Sequence, residues 1–408
     1  MNQARRNHWL RQKQALLFGA ALLLFICCVF GGGAAYGDVG DGVLGEGKPV
    51  IVAAGPNINA ISYILTDATT GKVLYQSNAY QSLPSASTTK IMTAYIVMHE
   101  LPDYNVTVTA PDDFVNVGES SLHFAAGETY RVIDLLYALM VYSANDAGQL
   151  LAIAVSGREE AFAELMNSYS VKLNLTGSRW KNAHGLHAPG HYTTAADLAK
   201  LTRLAFEIPL FNQIIATTEY RFTTVDGSRT FNISGHNTFM ENYSGADGVK
   251  TGYTVASGRC LVGSASRDGA RLIGVLLNCN DVTAAMINLM DYGFINFSMR
   301  FVVKSGDLVK TVPLKNAIAD SIDLVVHEDV SFLMDKLSMY QPEGKFSLPT
   351  SLRAPLSTDT KVGTVTYDDG EGHKQTIDLY PAQDVEAYNF WIVMGKILKS
   401  IINAWVTL

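Results

Sequence analysis

Three short groups of residues in this 408-residue chain could carry out acyl transfer together. In Ser87-Thr88-Thr89-Lys90, the first and last residues stand three apart, so on a helix they share a face and the amine reaches the hydroxyl. A serine becomes nucleophilic only beside such a base. The lysine must then be substantially neutral, which requires burial or a neighbouring cation. Lys250, in Lys250-Thr251-Gly252-Tyr253, is a candidate for that cation. The same group would bind an anionic substrate terminus through Lys250 and Thr251. Gly252 would let a backbone approach, and the Tyr253 N–H would join that of Ser87 in holding an oxyanion. In Ser143-Ala144-Asn145, Ser143 could relay a proton between Lys90 and a leaving nitrogen, and Asn145 could hold a substrate amide by its paired donor and acceptor. Alone, each group reads as an N-cap, a loop cap or chance. Their occurrence together and in order carries the information.

Each group needs a particular element to position it. The stretch Thr88 to Met98 follows Pro84 and Ser85 and is broadly apolar, which predicts a core helix with Ser87 at its start. Helical periodicity over Val132 to Val141, Asp146 to Val155 and Glu159 to Leu173 places Ser143-Ala144-Asn145 in the loop before a helix. Two apolar runs flank Asp67 to Gly71 and predict a hairpin. Segments 218–224, 229–234, 258–266 and 271–278 predict a return to strands, with Lys250 to Tyr253 on a strand as well. This order of strands, helices and strands implies an α+β domain over 58–297. Beyond it, short Val-rich runs predict a second, all-β domain over 298–383. Residues 384–408 follow as an amphipathic helix, with Phe390, Met394, Ile397, Ile401 and Trp405 on one face and Lys396, Lys399, Ser400 and Asn403 on the other.

The ends speak to location. Arg5, Arg6, Arg11 and Lys13 precede an uncharged apolar run from Ala15 to Phe30 and the small residues Gly31 to Ala35, so 1–36 reads as an export signal or an uncleaved N-terminal anchor. Residues 37–57 then form a linker. Either reading puts the body of the protein outside the cytoplasm. Removal of the segment after Ala35 takes away four positive charges and no negative ones, moving the formal charge from −7 to −11. With no basic block, nucleic acid is excluded as a partner. Of four cysteines only Cys260 and Cys279 belong to the folded body. They flank an expected Asp268-Gly269 hairpin turn and read as buried free thiols rather than a bridge. His184 and His191 lack the companions of a metal site and read as structural loop residues, so no metal and no cofactor is expected.

The three groups, one at a helix start, one in a helical loop and one on a strand, match the active-site serine set of penicillin-binding proteins and β-lactamases. The chain resembles the low-molecular-mass penicillin-binding proteins that are serine-type D-Ala-D-Ala carboxypeptidases, over almost everything after residue 58. The likeness rests on Ala86 to Ala94, Ser143 to Ala147, Asn182-Ala183-His184-Gly185-Leu186 and Asp247 to Thr254, and continues in Ala354-Pro355-Leu356 with Val362-Gly363. It implies an antiparallel sheet flanked by helices, with Ser87 acylated, Lys90 its base, Ser143 and Asn145 the second motif, and Lys250 the carboxylate-binding lysine. It also implies peptidoglycan stem peptides ending in D-Ala-D-Ala as substrate and β-lactams as covalent inhibitors. The terminal helix would attach the enzyme to the outer face of the cytoplasmic membrane. His187 stands where many relatives have Asp, and Ser257-Gly258 replaces Ala-Gly; neither removes a chemical group from the site. A β-lactamase is disfavoured because no candidate for a deacylating glutamate is evident, and a silent scaffold because every polar motif residue is present.

Overall fold

The computed structural model describes residues 55–398 apart from 392 and 396. Strands β1 (Ala60–Asp67) and β2 (Val73–Ser77) form the expected hairpin, closed by Asp67, whose carboxylate accepts from Thr69 N, Thr70 N and Thr70 Oγ1. A 3-10 turn at Ala86–Thr89 carries Ser87 and runs directly into the helix Lys90–Glu100. The pair β3 (Thr107–Thr109) and β4 (Thr129–Arg131) precedes the helix Val132–Tyr137, which ends in a wider π-helical turn at Ala138–Tyr142. Two further helices, Asn145–Ser156 and Glu159–Lys172, complete the block read from periodicity. A hairpin of β5 (Glu219–Thr223) and β6 (Thr230–Ser234) follows, and then β7 (Ala246–Thr254), β8 (Gly258–Arg267) and β9 (Ala270–Cys279). The main sheet has the order β2-β1-β9-β8-β7 and is antiparallel throughout.

Alternation along these strands builds a core on each side of the sheet. Ile64, Val262, Ile273, Val275 and Leu277 face the helical block. Leu65, Leu261, Leu272 and Leu276 face the helix Val282–Asn296. That last helix, with Ala195–Ala205 and Pro209–Ile215, was not among the expected elements. Its sequence is apolar on most sides because it packs on the sheet, so it lacks a clear polar stripe.

The β8–β9 hairpin pairs Arg267 with Ala270 as the Asp-Gly turn predicts, but the register slips by one between Arg259 and Leu261. Cys279 therefore lies opposite Arg259 and faces the second core, whereas Cys260 faces the first. Both thiols are free and buried. Burial pushes the Cys260 thiol up to about 11.

The second domain is all-β. Phe297–Val303 pairs with Val330–Asp335, and six further strands form a sheet over a core that includes Ile322, Leu324, Val365 and Leu379. Residues 384–389 are not helical: Val385 bridges to Leu356, and the terminal helix begins only at Phe390. The pairing of Val385 continues the β-domain into the stretch where periodicity alone predicts helix. The 1–36 segment, nearly all of 37–57, Ile401 and Trp405 of the expected apolar face, and Lys396, Lys399, Ser400 and Asn403 of the polar one lie outside the described residues.

Candidate active site

Ser87 and Lys90 meet as their spacing predicts, although the turn between them is 3-10 rather than α. Lys90 Nζ lies 2.8 Å from Ser87 Oγ, 2.7 Å from Asn145 Oδ1 and 2.8 Å from the carbonyl oxygen of His184. Lys90 is fully buried, with an exposure of 0%. Its pKa is driven well below the ordinary lysine value, first by burial and then by the positive charge of Lys250, while Glu119 and Asp146 pull weakly the other way. An ammonium can donate to all three oxygens, because the Ser87 hydroxyl accepts as well as donates. Asn145 Oδ1 and His184 O can only accept, so a neutral amine gives them its two N–H bonds and turns its lone pair toward Ser87, the one group of the three that can donate. A deprotonated lysine held in this way is a general base aimed at the nucleophile.

The sequence assigned no role to most of the groups that hold this arrangement. Asn145 begins its helix, and its Nδ2 donates to Gly118 O at 2.9 Å while its backbone N–H donates to Ser120 O at 2.7 Å. Its amide oxygen is thus spent on Lys90, and one N–H remains for a substrate. Asp146 fixes the loop that supplies these carbonyls: its buried carboxylate accepts from Ser121 Oγ at 2.7 Å and from the backbone of Leu122 at 2.9 Å and Phe124 at 3.3 Å. On the opposite side, Asn182 Oδ1 accepts from Gly185 N at 2.7 Å, and Thr93 Oγ1 donates to Ala183 O at 2.6 Å. His184 Nδ1 accepts from Leu186 N at 3.2 Å, so Nε2 carries the proton and donates to Glu159 at 3.1 Å. Burial raises the Glu159 pKa, but the His184 contact outweighs it and leaves the carboxyl below its usual range. His191 accepts from Lys181 N and donates through Nε2 to Thr89 Oγ1 at 2.9 Å, and burial lowers its pKa to about 4, so it stays neutral. The motif Asn182 to Leu186 was the available signal; its carbonyl at His184 is the part that touches the base.

The third group lies on β7 beside the nucleophile. A Cβ on Gly252 would come within 2.9 Å of Ser87 N and 3.1 Å of Ser85 O. The space that glycine leaves is filled by the turn carrying Ser87, so the Gly252–Tyr253 backbone lies against the Ser87 N–H. Lys250 is 3% exposed, donates to Thr251 O at 3.1 Å, and is lowered to about 7 by burial. Tyr253 is exposed. Ser143 sits in the left-handed conformation, φ 69°, after the π-helical turn, and its hydroxyl has no hydrogen-bond partner among the described residues. Ser87, Ser143, Asn145 and Lys250 to Thr254 line one cleft of about 900 Å³, with Lys90 buried beneath it.

Comparison with known proteins decides what this cleft belongs to. Residues 50–281 match the family described as D-alanyl-D-alanine carboxypeptidase, and residues 297–387 match the penicillin-binding protein 5 C-terminal domain. The chain belongs to the D-alanyl-D-alanine carboxypeptidase family. It is 31% identical over 332 residues to D-alanyl-D-alanine carboxypeptidase DacD of Escherichia coli, covering 77% of this chain and 84% of that one. It is 29% identical over 321 residues to DacF of Bacillus subtilis, with 76% and 82% covered. The solved structure of a peptidoglycan synthesis regulatory factor (PBP3) from Streptococcus pneumoniae superposes with a TM-score of 0.71 at 25% identity, covering 81% of this chain and all of that one. The fold is the family's sheet-and-helix body followed by its all-β domain, and the enzyme is a serine peptidase of that family.

Proposed function

We propose that the protein removes the terminal D-Ala from peptidoglycan stem peptides ending in D-Ala-D-Ala through an ester on Ser87, and that β-lactams trap the same ester. The single observation that carries the mechanism is the buried Lys90 Nζ placed 2.8 Å from Ser87 Oγ, with two further oxygens beside it that can only accept. Lys90 takes the hydroxyl proton as Oγ attacks the carbonyl carbon of the penultimate D-Ala. Negative charge collects on the carbonyl oxygen, where the N–H groups of Ser87 and Tyr253 receive it. The C–N bond then breaks, its nitrogen taking the proton from Lys90 through the free hydroxyl of Ser143, and D-Ala leaves. Water, deprotonated in turn by Lys90, cleaves the ester. Lys250 and Thr251 bind the terminal carboxylate, and the remaining N–H of Asn145 holds the peptide.

The test pairs full-length wild type with Ser87→Ala, using a diacyl D-Ala-D-Ala peptide and a labelled penicillin. Both D-Ala release and covalent labelling are expected to disappear in the variant. Label or release that survives without the Ser87 hydroxyl would refute the assignment.

An exported location at the membrane surface belongs to the same proposal. Phe390, Trp391, Met394, Ile397 and Leu398 are exposed on the terminal helix, and aromatic and aliphatic side chains of this kind partition into a headgroup layer. No helix among the described residues is long and apolar enough to cross a membrane. Deleting 384–408 is expected to move the protein from the membrane fraction to the soluble one; retention would point to the N-terminal segment instead.

A further inference from the structure

The cleft does not end at Lys250. A cavity of about 230 Å³ continues past it, sharing Val141, His236, Lys250 and Thr251 with the cleft but none of Ser87, Asn145 and Tyr253. Its apolar wall is formed by Met140, Ile214, Ile215 and Val249, brought together from the π-helical turn, the helix Pro209–Ile215 and β7. Its mouth is at His236, which is exposed. The proposed function, on which this inference rests, puts the substrate's terminal carboxylate at Lys250 and Thr251. The residue that carries that carboxylate is the one that leaves, so its side chain is the part of the substrate next to this cavity.

A methyl group fills little of such a space: one water occupies about 30 Å³ of liquid, so the cavity has room for several atoms beyond the methyl of alanine. Apolar walls reward filling, since apolar surface placed against them leaves water. We propose that this cavity is a subsite for the side chain of the leaving residue and admits unbranched or singly branched apolar D-residues, so that the enzyme releases D-Met or D-Leu as well as D-Ala. Asn237 Oδ1, buried on the same wall and without a partner among the described residues, adds an open acceptor, and Thr217, Thr218 and Glu241 make much of the rest of the lining polar.

Gly235 offers a direct way to close it. A Cβ built there meets nothing nearer than 3.6 Å, and its φ lies outside the left-handed region, so the backbone accepts a Cβ at a position that lines the cavity. The experiment measures kcat/KM for diacyl peptides ending in D-Ala-D-Ala, D-Ala-D-Met and D-Ala-D-Leu, with wild type and Gly235→Leu, and reads the D-Met to D-Ala ratio. Wild type is expected to release D-Met within about tenfold of D-Ala, and Gly235→Leu to lower the ratio by about tenfold or more, the range that one or two misplaced methylene groups produce in an apolar pocket. Because the readout is a ratio, a general loss in the variant does not imitate the effect, and labelling of Ser87 by penicillin reports that the variant is folded. Release of D-Ala without D-Met or D-Leu overturns the subsite and leaves the parent reading intact, and so does a ratio that Gly235→Leu does not change. Wild type that releases no D-residue from any peptide overturns the parent reading and the subsite with it.

Discussion

Lys90 and Lys72 are buried to almost the same degree, 0% and 4% exposed, yet their surroundings give them opposite roles. Around Lys90 every contact is a neutral dipole: a hydroxyl, an amide oxygen and a carbonyl oxygen. Lys72, in the turn between β1 and β2, reaches across to the β-rich domain, where it lies 2.7 Å from Glu371 and 3.6 Å from Asp369 and donates to Leu333 O at 3.4 Å. Burial alone would raise Asp369, but the Glu371 backbone N–H and the His373 imidazole hold its carboxyl below the usual range. Carboxylates compensate a buried ammonium and turn it into a tie between domains. Neutral dipoles do not, and with a second cation nearby the proton affinity of Lys90 falls well below that of an ordinary lysine. Lys250 stands between these cases, buried with no carboxylate partner among the described residues and lowered by burial to about 7.

Substitution at these three lysines separates the roles. The largest effect is expected at Lys90: Lys90→Gln, one bond shorter and still a donor, removes the basic amine, and the rate of penicillin acylation should fall by about 10²–10⁴. Acylation within tenfold of wild type, followed by stopped-flow labelling, would move the base elsewhere. At Lys250 the expected signature is a pH limb. Below about 7 the amine is charged and binds the substrate carboxylate; above it that charge is lost, so kcat/KM should decline by about tenfold per pH unit on the alkaline side. Lys250→Arg keeps a charge throughout and should flatten that limb, whatever it costs in absolute rate; the same limb in both proteins would remove Lys250 from carboxylate binding. The smallest effect on chemistry is expected at Lys72. Lys72→Met should leave the acylation rate of the folded enzyme as it was while lowering stability by about 1–3 kcal/mol, measured by denaturant unfolding, because Asp369 loses part of its compensation. A slowed acylation with unchanged stability would reverse the distinction.

Much of this was legible from residue types and spacing, and the exceptions have identifiable causes. The hairpin at Asp67 to Gly71, the helical block, the hairpin at Asp268-Gly269 and the β-rich second domain carry local signals, namely turn residues and periodicity, which survive without tertiary context. The helix Val282–Asn296 was not legible because burial against the sheet removed the polar stripe by which helices are recognised. Periodicity extended the terminal helix six residues too far back because it cannot see that Val385 has a strand partner in Leu356. At the site, the i to i+3 relation of Ser87 and Lys90 is local and was readable. The use of Asn145 was not, since its oxygen is claimed by a lysine 55 residues away in the chain.

By itself the sequence determined which groups come together: a hydroxyl with an amine one turn away, a cation on a later strand, and the order in which three elements bring them to one cleft. Only the tertiary structure decided the state of those atoms. Whether Lys90 is a base depends on what excludes water from it and on the His184 carbonyl 94 residues away. How close β7 can come depends on Gly252 facing the Ser87 turn, and how much room the leaving residue has depends on three elements that meet beyond Lys250. Proton affinity and cavity shape are set by packing between segments distant in sequence, and local spacing carries no record of either.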